Sequence, residues 1–225
     1  MFSDRSEAGR ALATRLSRLK HEAPVVLALP RGGVPVAYEI AIALEAPLDL
    51  ILVSKIGVPW QPELAAGAVV DGERPEVVEN EEVVRALSIS AEIIATGARR
   101  KLEEVERRRK AYLGDRKSRV PLAGRTAIVV DDGIATGTTA RAALRAVRRA
   151  VPKHLVLAVP VAPPDSVAAL ESECDEIVCL EVPPDLGAIG SFYADFRQVS
   201  DEEVIDCLTR ARDAVAGIGS ETDRA

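Results

Sequence analysis

The sequence predicts an α/β fold: a doubly wound, mainly parallel sheet with helices on both faces. Three observations carry this. Apolar runs of strand length (25–30, 49–59, 126–130, 154–163 and 176–183) alternate with stretches of helical periodicity over nearly the whole chain. The runs are continuous rather than alternating, as in strands buried on both faces. Two of them pass directly into glycine-containing loops and then a helix, PRGGVP at 30–35 and DDGIATGTT at 131–139. In a parallel sheet two such loops open at the same carboxyl edge.

Taken in order, residues 4–20 read as an amphipathic helix, with Asp4 and Glu7 as a capping box and Ala8, Leu12, Leu16 and Leu19 on one face. The first strand, 25–30, leads through Arg31, Gly32 and Gly33 to a helix at 36–45. Residues 49–59 read as one strand, in which Lys55 interrupts an apolar run. A buried charge there is costly unless paired or aimed at a ligand, and the alternative is a lysine snorkelling to water. Residues 63–79 suggest a short antiparallel pair across an Asp71-Gly72 turn, with Glu63 and the 60–62 segment candidates to lie over a site. Trp60, the only tryptophan, equally suits simple packing. A helical segment follows at about 80–114, with Asn80 and Ser90 as caps. Its basic cluster (Arg107, Arg108, Arg109, Lys110, then Arg116, Lys117 and Arg119) reads first as solvated surface, and second as a source of cations for a polyphosphate. After the central loop come strands at 154–163 and 176–183, separated by a short helix started by Asp165. Prolines and glycines then break the pattern, the segment 191–200 gathers three aromatics, and Ser200 with Glu203 caps a last helix whose end, 217–225, looks frayed.

Composition bounds the function. A chain of 225 residues with 48% hydrophobic and 28% charged residues is one domain or a compact pair, long enough to bury a substantial core. A net charge of −6 disfavours a nucleic-acid surface. No apolar run has membrane-spanning length, and the first residues lack signal-peptide character. Three cysteines without Cys-x-x-Cys spacing and two histidines suggest reduced thiols in a cytoplasmic protein and no zinc site.

The chemistry concentrates at 127–139. A strand ending in Asp131 and Asp132 runs into Gly133, Ile134, Ala135, Thr136, Gly137, Thr138 and Thr139, and a helix follows. Unpaired N–H groups at a helix start, its dipole, and threonine hydroxyls suit a phosphate. The acids would repel that phosphate, so the ligand should also carry groups that carboxylates accept, such as sugar hydroxyls. The stretch lacks the Gly-Lys-Ser/Thr of a Walker loop and the three-glycine spacing of a dinucleotide fingerprint.

It resembles the phosphoribosyl-pyrophosphate (PRPP) signature of the type I phosphoribosyltransferases: apolar strand, two acids, Thr-Gly-x-Thr loop. PRGGVP, VSKIG, VDDGIATG and FYADF, in this order, bring the chain nearest to the stand-alone bacterial predicted phosphoribosyltransferases. The resemblance spans about residues 2–210 and implies a single domain with a hood at about 184–200. It implies that Asp131 and Asp132 hold the ribose hydroxyls and that Gly133 to Thr139 hold the 5-phosphate. Arg31, Gly32 and Gly33, with Lys55, would serve the pyrophosphate. Mg²⁺ would be bound mainly through PRPP, with no protein metal site. Tyr193 and Phe196 of the hood would face a nucleobase-like acceptor, although as residue types they equally suit a hydrophobic plug. The implied reaction belongs to nucleobase salvage, with a homodimer as the family expectation. A non-catalytic PRPP or nucleotide sensor and a ribose-phosphate hydrolase are the alternatives. Two departures stand out. Gly133 replaces a bulkier aliphatic residue, and the segment before the PRPP strand is more helical than the family's mobile loop.

Overall fold

The computed structural model describes residues 1–71, 75–114 and 120–222. The chain forms two compact units, Met1–Leu50 with Val120–Ala225, and Ile51–Arg119.

The first unit begins with α1 (Arg5–Leu16), whose N-cap Asp4 accepts a hydrogen bond from the Glu7 N–H at 2.8 Å. Glu7 reaches back to the Ser3 N–H, one residue before the cap. Ala8, Leu12 and Leu16 face inward as the periodicity requires. The expected helix to residue 20 ends sooner, and Ser17–His21 tightens into a 3₁₀ turn that still buries Leu19. The sheet follows as β1 (Pro24–Ala28) and β2 (Leu48–Leu50), then β6 (Thr126–Val130), β7 (His154–Val161) and β8 (Glu176–Glu181) after the second unit. The strand order is β2-β1-β6-β7-β8 and every pair is parallel. β1 and β6 are buried at every position, so both faces need helices. These are α2 (Gly33–Leu44), in contact with α1 and α7 (Asp201–Thr222), and α5 (Thr138–Arg149), which packs over β6 and β7. The chain steps one way from β1 to β2 and the other way from β6 to β7. Right-handed crossovers then place α2 and α5 on opposite faces, and the order reverses between β1 and β6.

Three local expectations are corrected. The run 49–59 is two strands in two sheets, β2 and then β3 (Val53–Val58). Both pieces are apolar, so hydropathy hides the break, which Asp49 marks: its buried carboxylate accepts from the N–H groups of Leu50 at 2.9 Å and Val120 at 3.2 Å. The short helix α6 (Pro164–Leu170) begins at Pro164 rather than Asp165, since proline is preorganised for the first helical position. The last helix stays regular through Thr222, while 223–225 lie outside the described residues.

The second unit is a three-stranded antiparallel sheet, β3, β4 (Gln61–Val70) and β5 (Glu76–Glu79), in that order, with helices α3 (Glu81–Ala86) and α4 (Ala91–Leu113). Asn80 and Ser90 cap these helices as expected, accepting from the N–H groups of Val83 and Ile93. Gly97 lets α4 approach β3, since a Cβ there would lie 2.7 Å from Ile56 Cγ2. Asp71 is buried and accepts from the Leu52 N–H at 2.7 Å and from Arg109 Nη1 at 3.2 Å. Gly72, the other half of the expected turn, lies outside the described residues. Among the described residues no helix is long and apolar enough to cross a membrane.

Candidate active site

Both glycine loops leave the carboxyl ends of neighbouring strands. After β1, the Leu29 N–H donates to the Val130 carbonyl at 2.9 Å, extending the pairing with β6 by one residue. The Pro30–Arg31 peptide is cis. Gly32 is the N-cap of α2, and no side chain caps that helix. A Cβ on Gly32 would lie 2.0 Å from Asp132 Oδ2, and one on Gly33 would lie 2.7 Å from the Val130 carbonyl oxygen. The glycines are there because the second loop occupies the space a side chain would need.

That second loop is anchored from outside. The Ile134 N–H donates to the Val161 carbonyl at 2.9 Å, and Ser166 Oγ donates to the Ala135 carbonyl at 2.6 Å. Gly137 turns the chain into α5 with φ +73°, a left-handed conformation that favours glycine. No side chain caps α5, and Thr136, Thr138 and Thr139 stand around its start. The first N–H groups of a helix have no partner within it. At the α2 start the Gly33 and Val34 N–H groups already donate to the Leu29 and Arg31 carbonyls, both at 3.1 Å, and Pro35 has no N–H. The open helix start at the sheet's switch point is therefore that of α5, reached from Asp131 and Asp132 through the second loop.

The acids differ in surroundings. Burial pushes the Asp131 carboxyl well above the ordinary aspartate range, and the adjacent Asp132 charge pushes it the same way. The Asp132 N–H, donating to Asp131 Oδ1 at 2.9 Å, and the Arg5 charge oppose this. Asp132 Oδ2 accepts from Arg5 Nε at 2.7 Å, in a pair whose side chains are only 10% and 13% exposed. Arg5 Nη1 also donates to the Arg197 carbonyl at 2.9 Å, and its guanidinium lies 4.0 Å from the Phe196 ring centroid.

The hood closes on the same acid. Tyr193 OH donates to the Asp132 carbonyl at 2.6 Å, and burial followed by the Asp132 charge raises the phenol above its usual range, so it stays a donor. Its ring packs between Phe2, at 5.6 Å between centroids, and Phe196, at 5.0 Å. With 5% of its surface exposed, Tyr193 fills the interior, the plug rather than an open stacking face. Phe196 is half-buried beneath Arg5. Ile189, at the start of a 3₁₀ turn (Ile189–Phe192), explains the glycine at 133: a Cβ there would lie 2.5 Å from Ile189 Cγ2. The hood supplies the aliphatic group that the loop lacks.

The structure brings together Gly32, Gly33, Asp131, Asp132 and the loop Gly133 to Thr139. Arg31 leans on α7, its Nη1 3.7 Å from Asp201 Oδ1. Pairs this exposed contribute about 0–1 kcal/mol, so Arg31 can leave at little cost. Lys55 belongs to the second unit and is exposed, because β3 alternates inward Ser54 and Ile56 with outward Lys55. The burial cost expected for it does not arise. Trp60 is 61% exposed and is not packing. The side chains of Pro62 and Glu63, and residues Arg116, Lys117 and Arg119, lie outside the described set. Arg109 is committed to Asp71. Sequence reasoning missed Arg5, Ser166 and Ile189. Arg5 carried a signal: a cation in the first turn of a helix opposes the dipole and needs a partner.

The chain matches the phosphoribosyl transferase domain family over residues 4–197. It belongs to that family, within the type I phosphoribosyltransferases. Mycobacterium tuberculosis, in strains CDC 1551 and H37Rv, has a protein provisionally named a phosphoribosyl transferase, 48% identical over 220 residues and 98% of this chain. The chain spans about half, 49%, of that relative's length. The crystal structure of TT1426 from Thermus thermophilus superposes with a TM-score of 0.81 at 42% identity, over 92% of this chain and 97% of that one.

Proposed function

We propose that this chain is a Mg²⁺-dependent phosphoribosyltransferase that moves ribose 5-phosphate between PRPP and a nitrogenous base, with pyrophosphate leaving. One observation carries the reading: an open helix start, that of α5, follows a carboxylate pair at the switch point of a parallel sheet. The α5 start, with Thr136, Thr138 and Thr139, takes the 5-phosphate as a remote anchor that positions the anomeric carbon. Asp131 and Asp132 accept from the ribose hydroxyls and favour the positive charge that develops on the ring as its bond to pyrophosphate breaks. The backbone at Gly32 and the Arg31 side chain receive the leaving group. The acceptor is a nucleobase-like heterocycle whose nitrogen attacks directly, in cytoplasmic salvage.

Among the described residues no three His, Cys, Asp or Glu side chains converge as a metal cage. Asp131 and Asp132 are the carboxylates that would stand beside a metal carried on the ligand. Bound so, Mg²⁺ would supply charge neutralisation for the leaving pyrophosphate.

Purified chain incubated with PRPP, Mg²⁺ and a panel of nucleobases tests the reading through pyrophosphate release. Base-dependent release is expected, falling by orders of magnitude in Asp132→Asn, which folds but lacks the charge. Binding without turnover would make the chain a sensor, and base-independent release a hydrolase. Full activity in Asp132→Asn would remove the acid pair from the mechanism.

A further inference from the structure

The first residues of the chain are built into the hood. The Phe2 N–H donates to the Phe192 carbonyl at 2.7 Å, the Ala194 N–H to the Phe2 carbonyl at 2.8 Å, and the Asp195 N–H to the Ser3 carbonyl at 2.9 Å. This short parallel bridge aligns Phe2 with Tyr193 and sets the start of α1 beside the acid pair. From there Arg5 directs its donors two ways, Nε to Asp132 Oδ2 and Nη1 to the Arg197 carbonyl, while its flat face covers Phe196. A guanidinium suits this task because its donors are fixed in one plane and its face stacks on aromatics. Nothing about α1 itself asks for arginine here, since the helix start repels a cation.

We propose that Arg5 is a positioning residue for the acid pair, fixing the Asp132 carboxylate in one orientation and locking it to the hood. The inference rests on the reading of Asp131 and Asp132 as the ribose-hydroxyl acceptors. It adds a division of labour. Asp132 Oδ2 faces Arg5, so the sugar meets Asp131 and the remaining Asp132 oxygen. The hood and the sugar site therefore move as one body, with Arg5 as the bolt. The charged and titratable groups around this point are Asp131 and Asp132 after β6, Tyr193 in the hood, and Glu203 on α7, whose charge Arg5 also feels.

The test has one arm without substrate and one with it, on the full chain with Arg5→Ala and Arg5→Lys. By carbon-detected NMR in the absence of ligand, the Asp131 carboxyl titrates at higher pH in Arg5→Ala than in the wild type, and Arg5→Lys returns it most of the way. Arg5 is one of the groups holding Asp131 down. An unchanged titration in Arg5→Ala overturns the proposal whether or not the chain binds PRPP. In the second arm, displacing the acid by about 1 Å costs about 100-fold in kcat/KM for PRPP. Arg5→Lys recovers only part, because the charge returns without the planar fork. Loss of thermal stability with PRPP kinetics unmoved in Arg5→Ala, or full recovery in Arg5→Lys, would overturn the proposal. Failure of the wild type to bind PRPP would instead refute the proposed function, leaving the NMR arm to decide on Arg5.

Discussion

Gly32→Ala isolates one contact. Gly32 sits at φ −57° and ψ −37°, which any residue adopts, so the substitution brings no backbone strain. Its whole effect is the added methyl, which would lie 2.0 Å from Asp132 Oδ2 and 2.5 Å from Cγ. A free carboxylate could swing away. This one is held by Arg5 at 2.7 Å in a buried pair, so either that pair loosens or the α2 start shifts. Overpacking of this kind costs about 1–3 kcal/mol. At about 2–4 °C per kcal/mol for a chain of this size, Tm falls by roughly 2–12 °C. PRPP binding, followed by calorimetry, should weaken further than stability alone explains, because the methyl intrudes where the two loops meet. The mechanism is checked by a double-mutant cycle with Asp132→Ala. With the carboxylate gone, Gly32→Ala should cost less than about 0.5 kcal/mol, giving a coupling of about 0.5–3 kcal/mol. Equal costs in the two backgrounds would refute the argument that Asp132 is what excludes a side chain at this position.

Asp131→Asn should raise Tm at pH 7, with the gain closing as pH falls toward about 4. The folded state raises the Asp131 carboxyl above its unfolded value, so stability is highest below the unfolded value and declines as pH rises through the folded one. A variant less stable than the wild type at pH 7 would contradict this, and activity should fall even as stability rises. Thr138→Ala should weaken PRPP about tenfold or more, the loss of one hydrogen bond to a charged group, while changing the affinity for the base less than about twofold. Equal loss for both substrates in paired titrations would argue against a phosphate role.

The sheet was legible because β1, β6 and β7 are continuous apolar runs, and burial on both faces leaves no polar side to confuse the reading. The loop from Gly133 to Thr139, for which we propose a phosphate role, was legible as a strand–loop–helix junction because its residues are contiguous in sequence. What escaped depends on contacts between distant residues. Arg5 and Asp132 are 127 positions apart, and only the folded chain makes them neighbours. Ile189 explains Gly133 across a long gap too, so the departure at that position read as a mismatch until the hood was in place. The break between β2 and β3 was hidden for the opposite reason, since two strands of like hydropathy adjoin. Tyr193 and Phe196 were located correctly as a cluster, but residue type says nothing about which faces of a ring remain open.

The bare α-carbons of Gly32 and Gly33 have a consequence for diversification. Each loop forms a wall of the other's cradle, Gly32 against Asp132 and Gly33 against the Val130 carbonyl. Neither half can be retailored alone, because a larger residue on one side evicts the working groups of the other. Under the proposed function, new acceptor preferences in relatives of this chain should therefore be written into the segment around Asp195 and Arg197, whose exposed side chains can change while the paired loops stay as they are.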